Sequence, residues 1–398
     1  MNILYASCTC SQERFVQYVE SKGSRGSQQA QKYNLLLAEG LAKNGAKVTM
    51  ISSRPINRAV EKRLWMKGER EQVNGVAYHY LPFINYPVLR NIWILLGTFF
   101  HILFSKHNRK DTVIVCDALN ISSAMAVLAA AFVRRFQTMA IVTDVPGKSY
   151  SQTVSMSSRV NLAVMQKFDS YLLLTEPMTD LVNPKNRPYI VLEGHADLAM
   201  AGVENTLAGK SEKKICLYAG SLMKIYGIGN LVEGFLAANI PDTQLHIYGD
   251  GDYAEQLKQL ADSNDNISYF GVAPNSEIVK AELAATLLVN PRPTNEEYTK
   301  YSFPSKNMEY MASGTPVLTT RLPGMPEEYY PYVYLLEEET AEGVEQALRH
   351  ILSRPAEELA ELGKNAKQFV MNNKNNISQA GKVLQMLQTV NSEANTSC

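Results

Sequence analysis

Short β-rich runs alternate with amphipathic helical patterns along this chain, and the alternation breaks off and begins again at Lys213. A rhythm of that kind builds a parallel sheet covered by helices, and its restart after an irregular polar stretch implies a second sheet. In the first series strands are predicted over 3–7, 47–52, 112–116, 138–143, 170–174 and 188–192, with helices over 28–44, stopped by Gly45, and over 121–136. In the second, strands are predicted over 215–219, 244–248, 267–270, 286–289, 316–319 and 332–336, with helices over 227–239, 253–262, 276–283 and 306–312 and then from about 340 onward. The expected fold class is α/β: two Rossmann-like, doubly wound parallel-sheet domains facing across a cleft. The boundaries read as a domain over 1–195, a linker over 196–212, a second domain over 213–374 and a final helical segment over 375–398. Ligands of such sheets are expected in loops beyond the carboxyl ends of the strands.

Length agrees with two domains, because 398 residues exceed the roughly 250–300 at which single cores stop growing. With 45% hydrophobic and 20% charged residues the chain reads as globular. Its cysteines, Cys8, Cys10, Cys116, Cys216 and Cys398, are odd in number and scattered, which suits a reducing, cytoplasmic compartment better than a disulfide framework. Cys8 and Cys10 lack the further ligands of a metal site and are read as a loop after the first strand. Met1 leads straight into a strand-like run, without the basic start of a secretory signal. The most apolar stretch, 91–105, falls short of the roughly 20 residues of a transmembrane helix.

Net charge is zero, yet residues 1–200 carry 23 Lys and Arg against 14 Asp and Glu, whereas residues 201–398 carry 16 against 25. The basic half also holds an aromatic segment with Phe83, Tyr86, Trp93, Phe99, Phe100 and Phe104. Two readings stay open: a surface that meets the inner face of an anionic membrane, or a partly buried helix with a solvated basic side. Nucleic acid is not an expected partner, since the basic residues are dispersed and the overall charge balances.

Three loops carry chemistry. Ala219-Gly220-Ser221-Leu222-Met223-Lys224-Ile225-Tyr226-Gly227 follows a strand and feeds a helix, where small residues and free N–H groups suit a phosphate. Gly249-Asp250-Gly251-Asp252 has the look of a metal-holding Asp pair but lacks further ligands, so it is read as a turn and helix N-cap. The longest constellation, Tyr301-Ser302-Phe303-Pro304-Ser305-Lys306-Asn307-Met308-Glu309-Tyr310-Met311-Ala312-Ser313-Gly314-Thr315-Pro316-Val317, is an irregular loop, a short helix bearing Glu309, a Gly cap and a strand.

The run from Pro304 to Val317, with Gly249-Asp250-Gly251 and Phe270-Gly271 upstream, resembles the donor domain of the family 4 glycosyltransferases, which have the GT-B fold. The likeness covers about 213–350 and extends more loosely through Gly23–Gly26, Thr143-Asp144-Val145-Pro146-Gly147 and Glu193-Gly194-His195-Ala196-Asp197. It implies transfer of a sugar, with retention, from a nucleotide-diphosphate donor, a UDP-sugar foremost, with no tightly bound cofactor and no metal. It further implies a saccharide or lipid-linked saccharide acceptor, as in exopolysaccharide, capsule or O-antigen synthesis, and a C-terminal helix that crosses back to the first domain.

By the same resemblance Glu309 holds the donor ribose. The partner Glu expected eight positions earlier is replaced by Tyr301; Glu296 and Glu297 lie a few residues upstream and could replace it if the loop doubles back, and Glu297 is the substitute candidate. The family's Arg and Lys for the diphosphate fall at Ser221 and Tyr226, so Lys306 and Lys224 are the candidates to neutralise it. Gly26, Gly220, Gly249, Val272, Ser302, Phe303, Pro304 and Ser305 complete the expected donor set. Asp144 is the candidate catalytic group of the first domain, with His195 as an acceptor or linker residue. Loss of the first Glu and of both usual cations also motivates a second reading, a non-catalytic sugar-nucleotide-binding subunit, and a sugar-nucleotide epimerase is a third.

Overall fold

The computed structural model describes residues 1–19, 28–58, 60–148 and 155–396. The chain forms two units, Met1–His195 with Asn376–Cys398, and Ala196–Asn375.

The first unit holds strands β1 (Asn2–Ser7), β2 (Lys47–Ser52), β3 (Trp65–Met66), β4 (Glu69–Val73), β5 (Val76–Tyr80), β6 (Phe83–Ile84), β7 (Thr112–Asp117), β8 (Gln137–Val142), β9 (Ser170–Leu173) and β10 (Tyr189–Val191). Its helices are α1 (Gln12–Tyr18), α2 (Gln28–Lys43), α3 (Pro87–Leu103), α4 (Ile121–Arg134), α5 (Met156–Met165) and α6 (Thr179–Val182). The main sheet runs β10-β9-β8-β7-β1-β2-β5-β4, and only the β4–β5 pair is antiparallel. That hairpin, absent from the predicted strands, turns on Asn74 and Gly75, whose φ angles of 49° and 82° are those a tight two-residue hairpin loop requires. Every residue of β7 is buried, as expected of a parallel strand covered on both faces.

The second unit holds β11 (Lys214–Ala219), β12 (Thr243–Tyr248), β13 (Ile267–Gly271), β14 (Leu287–Asn290), β15 (Val317–Thr319) and β16 (Tyr334–Leu335). Its helices are α7 (Ile228–Ala238), α8 (Ala254–Ser263), α9 (Asn275–Ala284), α10 (Ser305–Ser313), α11 (Ala341–Leu352) and α12 (Ala356–Asn373). All strands are parallel in the order β13-β12-β11-β14-β15-β16. That order reverses between β11 and β14, which is where a doubly wound sheet opens a crevice for ligand. One core cluster joins β11, β12 and β14 to α7, α8 and α11, and another joins β11 and β14 to α10 and α12.

The last helix, α13 (Asn376–Thr396), belongs to the first unit. Ala380, Val383, Leu384 and Leu387 enter the core of β1, β2 and α2. Gly40 makes room for it, since a Cβ there would sit 2.2 Å from the Asn376 carbonyl oxygen.

Candidate functional site

The crevice of the second unit is built by the loops after β11 and β14 and by the start of α10. Tyr310, buried on α10, accepts the Ala219 amide at 2.8 Å and donates to the Ala219 carbonyl at 3.3 Å, so the helix is clamped onto the end of β11. Lys306 stands one turn earlier on the same face. Its ammonium therefore arrives beside Gly220, in space that a side chain would occupy: a Cβ on Gly220 would lie 1.8 Å from Nζ. Nζ also stands 5.5 Å from the centre of the Tyr218 ring. Burial brings the Lys306 pKa down to about 8, with Glu309 pulling it up and Arg292 pushing it down.

The glycine loop is held by neighbouring backbone. Asp252 Oδ1 accepts the Lys224 amide at 2.7 Å, the Asp250 carbonyl accepts the Leu222 amide at 3.0 Å, and Tyr218 donates to the Ser221 carbonyl at 2.7 Å. Gly249 is required at its position because its φ is 130° and a Cβ would lie 1.7 Å from the Gly220 oxygen. The expectation that Asp250 and Asp252 cap a helix is corrected here. Helix α8 starts at Ala254 without a side-chain cap, and Asp252 pins the glycine loop after β11 instead.

Arg292, in the loop after β14, lies outside the residues chosen from sequence. Its guanidinium is 4.5 Å from the Tyr226 ring centre and 5.6 Å from that of Tyr298, and Nη1 approaches Ser302 Oγ at 3.5 Å. Tyr226 and Ser221 stand where the resemblance expects cations, and Arg292 brings a positive charge to the first of these. The only sequence signal was a lone arginine directly after a buried strand at the point where strand order reverses. Asn307, also unassigned before, is fully buried; its Oδ1 accepts from Asn290 at 2.7 Å and its Nδ2 donates to Thr319 at 3.1 Å, tying α10 to β14 and β15.

Between the start of α7 and the loop after β14 lies a cavity of about 320 Å³, lined among others by Lys224, Gly227, Asn230, Pro293, Glu296 and Glu339. Glu339 Oε2 accepts the Thr294 amide at 2.8 Å and shapes its rim. Of the two upstream carboxylates, Glu296 lines this space, whereas Glu297 is exposed at the start of a 3-10 turn. Glu309 is half-buried, Phe303 and Pro304 are buried, Ser302 and Ser305 are partly exposed, and Val272 is exposed beyond β13. Phe270, just before it, stacks on Tyr248 at 4.6 Å. Gly26 lies outside the described residues.

In the first unit Asp144 is exposed after β8 and its Oδ1 accepts the Val145 amide at 2.8 Å. His195, read as a linker residue, is instead buried against the Tyr33 ring at 4.4 Å, and that burial holds its pKa down at about 3. It is thus a neutral packing group with no exposed face for an acceptor. Sequence reading also passed over Asp117 at the end of β7, where burial lifts the carboxyl to about 6 against hydrogen bonds from the Leu119 amide and Asn34. Among the described residues no group of three or more His, Cys, Asp or Glu side chains is placed to hold a metal ion.

Residues 204–369 match the family described as glycosyl transferases group 1. The chain is a glycosyltransferase by virtue of this domain. No curated protein matches it. Among solved structures, sucrose-phosphate synthase from Thermosynechococcus elongatus is similar at 18% identity and a TM-score of 0.70, over 99% of this chain and 100% of that one. HepE from Anabaena, in complex with UDP and glucose, is similar at 14% identity and a TM-score of 0.65, over 98% and 100%. TarM from S. aureus, in complex with UDP among other ligands, follows at 15% identity and a TM-score of 0.56, over 77% and 59%. At these identities the likeness is one of fold, and for the glycosyltransferase that fold is the GT-B type with two Rossmann-like sheets.

Proposed function

We propose that this glycosyltransferase takes a sugar from a nucleotide-diphosphate donor, a UDP-sugar foremost, and transfers it with retention to a lipid-linked saccharide in the synthesis of a surface polysaccharide. The observation that carries the donor half is the convergence of Lys306 and Arg292 on the glycine loop after β11. A nucleoside diphosphate leaves with concentrated negative charge, and preorganised cations in a partly dry crevice stabilise it without reorganising. Free amides at the start of α7 and the room left by Gly220 let the phosphates approach. Glu309, one turn along from Lys306, is assigned to the donor ribose. HepE in complex with UDP-glucose supports the choice of base. Side-chain cations take the charge that a metal would otherwise meet, so the proposed transfer is metal-independent. Asp144, exposed after β8, is assigned to the acceptor side.

The reading as a non-catalytic subunit was motivated by the missing first Glu and two absent cations; Arg292 beside Tyr226 answers the second of these, while Tyr301 still stands in place of that Glu. A panel of nucleoside diphosphate sugars tests the proposal by binding and by slow hydrolysis. One donor is expected to bind and to be hydrolysed, and Glu309→Ala to weaken binding by the roughly 1.5–3 kcal/mol of a lost charged hydrogen bond. Binding without any release of sugar, even with membranes present, would return the case to the non-catalytic subunit. Absence of binding would refute the donor site.

A further inference from the structure

We propose that α3 and the surface beside it form a docking face for an anionic lipid bilayer. The proposal rests on the lipid-linked acceptor of the reading above and names the surface on which such an acceptor is met.

Helix α3 buries Ile94, Thr98 and Ile102 against its own unit. Its other side carries Leu89, Trp93, Leu96 and Phe100, spaced four, three and four residues apart and therefore in one stripe; they are 44%, 37%, 44% and 47% exposed. Ile92 and Phe104 widen it. Leu64 and Trp65 extend the patch from β3, where the Trp65 ring stands edge-on to Trp93 at 5.4 Å. At the far end of the helix the Phe104 ring, 75% exposed, stacks on that of Phe100 at 5.8 Å. Water-exposed apolar surface that continues from a helix onto a neighbouring strand marks an interaction face.

Charge identifies the occupant. Between Glu71 and Asp111, and again between Asp117 and Asp144, the sequence holds no Asp or Glu, so neither α3 nor α4 bears an acid. Exposed Lys62, Lys67, Lys106 and Lys110 adjoin the apolar residues in sequence; of the acids next to them, Glu61 is paired with Arg63 at 2.9 Å, Glu69 with Arg14, and Asp111 Oδ1 accepts the Thr112 hydroxyl at 2.9 Å. Two copies meeting through this face would set basic rims against each other, whereas anionic headgroups match the rims while the acyl boundary takes the stripe. No helix among the described residues is long and apolar enough to cross a membrane, which fits a helix lying in the interface, where tryptophan is favoured.

The chain contains two tryptophans, Trp65 and Trp93, and both lie on this face, so intrinsic fluorescence reads the contact directly. Vesicles of phosphatidylcholine with phosphatidylglycerol are expected to shift the emission to the blue, and brominated lipid to quench it. Pure phosphatidylcholine is expected to bind at least tenfold more weakly, and raising salt from about 0.05 to 0.5 M to remove most of that difference. Leu96→Glu with Phe100→Glu, both at exposed positions, keeps the reporters and is expected to cut vesicle affinity at least tenfold with UDP-sugar binding unchanged. Lys106→Glu with Lys110→Glu is expected to lose the preference for phosphatidylglycerol. No shift with vesicles from a protein that binds donor overturns the docking face and leaves the transferase reading standing. Self-association abolished by the Leu96/Phe100 pair, without vesicle binding, overturns it in favour of a second copy. Vesicle binding by a protein that takes no donor sustains the face and sinks the transferase reading instead.

Discussion

The ammonium of Lys306 is charged in the free protein only below its pKa of about 8, because burial disfavours the charge. A bound diphosphate favours the charged form. Donor affinity is therefore expected to hold steady below pH 8 and to weaken by up to tenfold per unit above it, which titration of binding against pH measures. Stability runs the other way. Between about pH 8 and the unfolded value of 10.5 the unfolded chain binds the extra proton, so stability rises with pH across that window. In Lys306→Met the donor dependence is expected to vanish, along with ten- to a hundredfold of donor affinity, and the rise in stability to shrink to the share kept by Lys210, which burial also lowers to about 8. Gly220→Ala makes a sharper test. Its Cβ would collide with the flexible end of Lys306 rather than with backbone, so donor affinity is expected to fall toward that of Lys306→Met while the melting temperature stays nearly unchanged. A large drop in melting temperature would show that Gly220 serves the fold instead.

At the scale of the element, α10 delivers Lys306, Glu309 and Tyr310 together, and Asn307 fixes the helix to the two strands beneath it. Asn307→Leu leaves the Asn290 amide without its partner in a buried place, an expected loss of roughly 1–3 kcal/mol. Denaturant unfolding should show it, and donor binding should weaken as well because the helix loses its seat. The string from Tyr301 to Val317 was legible in sequence since it compresses loop, helix, glycine cap and strand into one local pattern. Apart from β4 and β5, the strands of both sheets were legible to within a residue or two, because each is a short apolar run that can be read locally. Arg292 was not legible, because its value comes from the rings of Tyr226 and Tyr298, and Tyr226 is brought to it only when β11 and β14 pair. His195 was misread because a polar residue in a polar stretch gave no sign that Tyr33, far away in sequence, would cover it. The β4–β5 hairpin did have a local sign, the Asn74-Gly75 pair, set between short strands of mixed polarity.

For the whole molecule, the second unit is an insertion within the first. Its two ends meet, with the Ala196 amide donating to the Lys374 carbonyl at 2.9 Å and Ala196 bridging to Asn375. A chain stopped after Asn375 is expected to keep a folded second unit that binds nucleotide. Its first unit, lacking Val383, Leu384 and Leu387 in the core, is expected to expose apolar surface to a reporter dye and to melt at lower temperature. Retention of a single, unchanged melting transition would show that α13 is dispensable. The same returning helix sets an order of events on the ribosome. The sheet of the first unit is translated first, yet its core waits for residues beyond 380, while the inserted unit closes on itself as soon as Asn375 has emerged. The nascent protein is thus expected to reverse the usual N-to-C sequence of domain maturation, with the earliest-made half the last to complete its core.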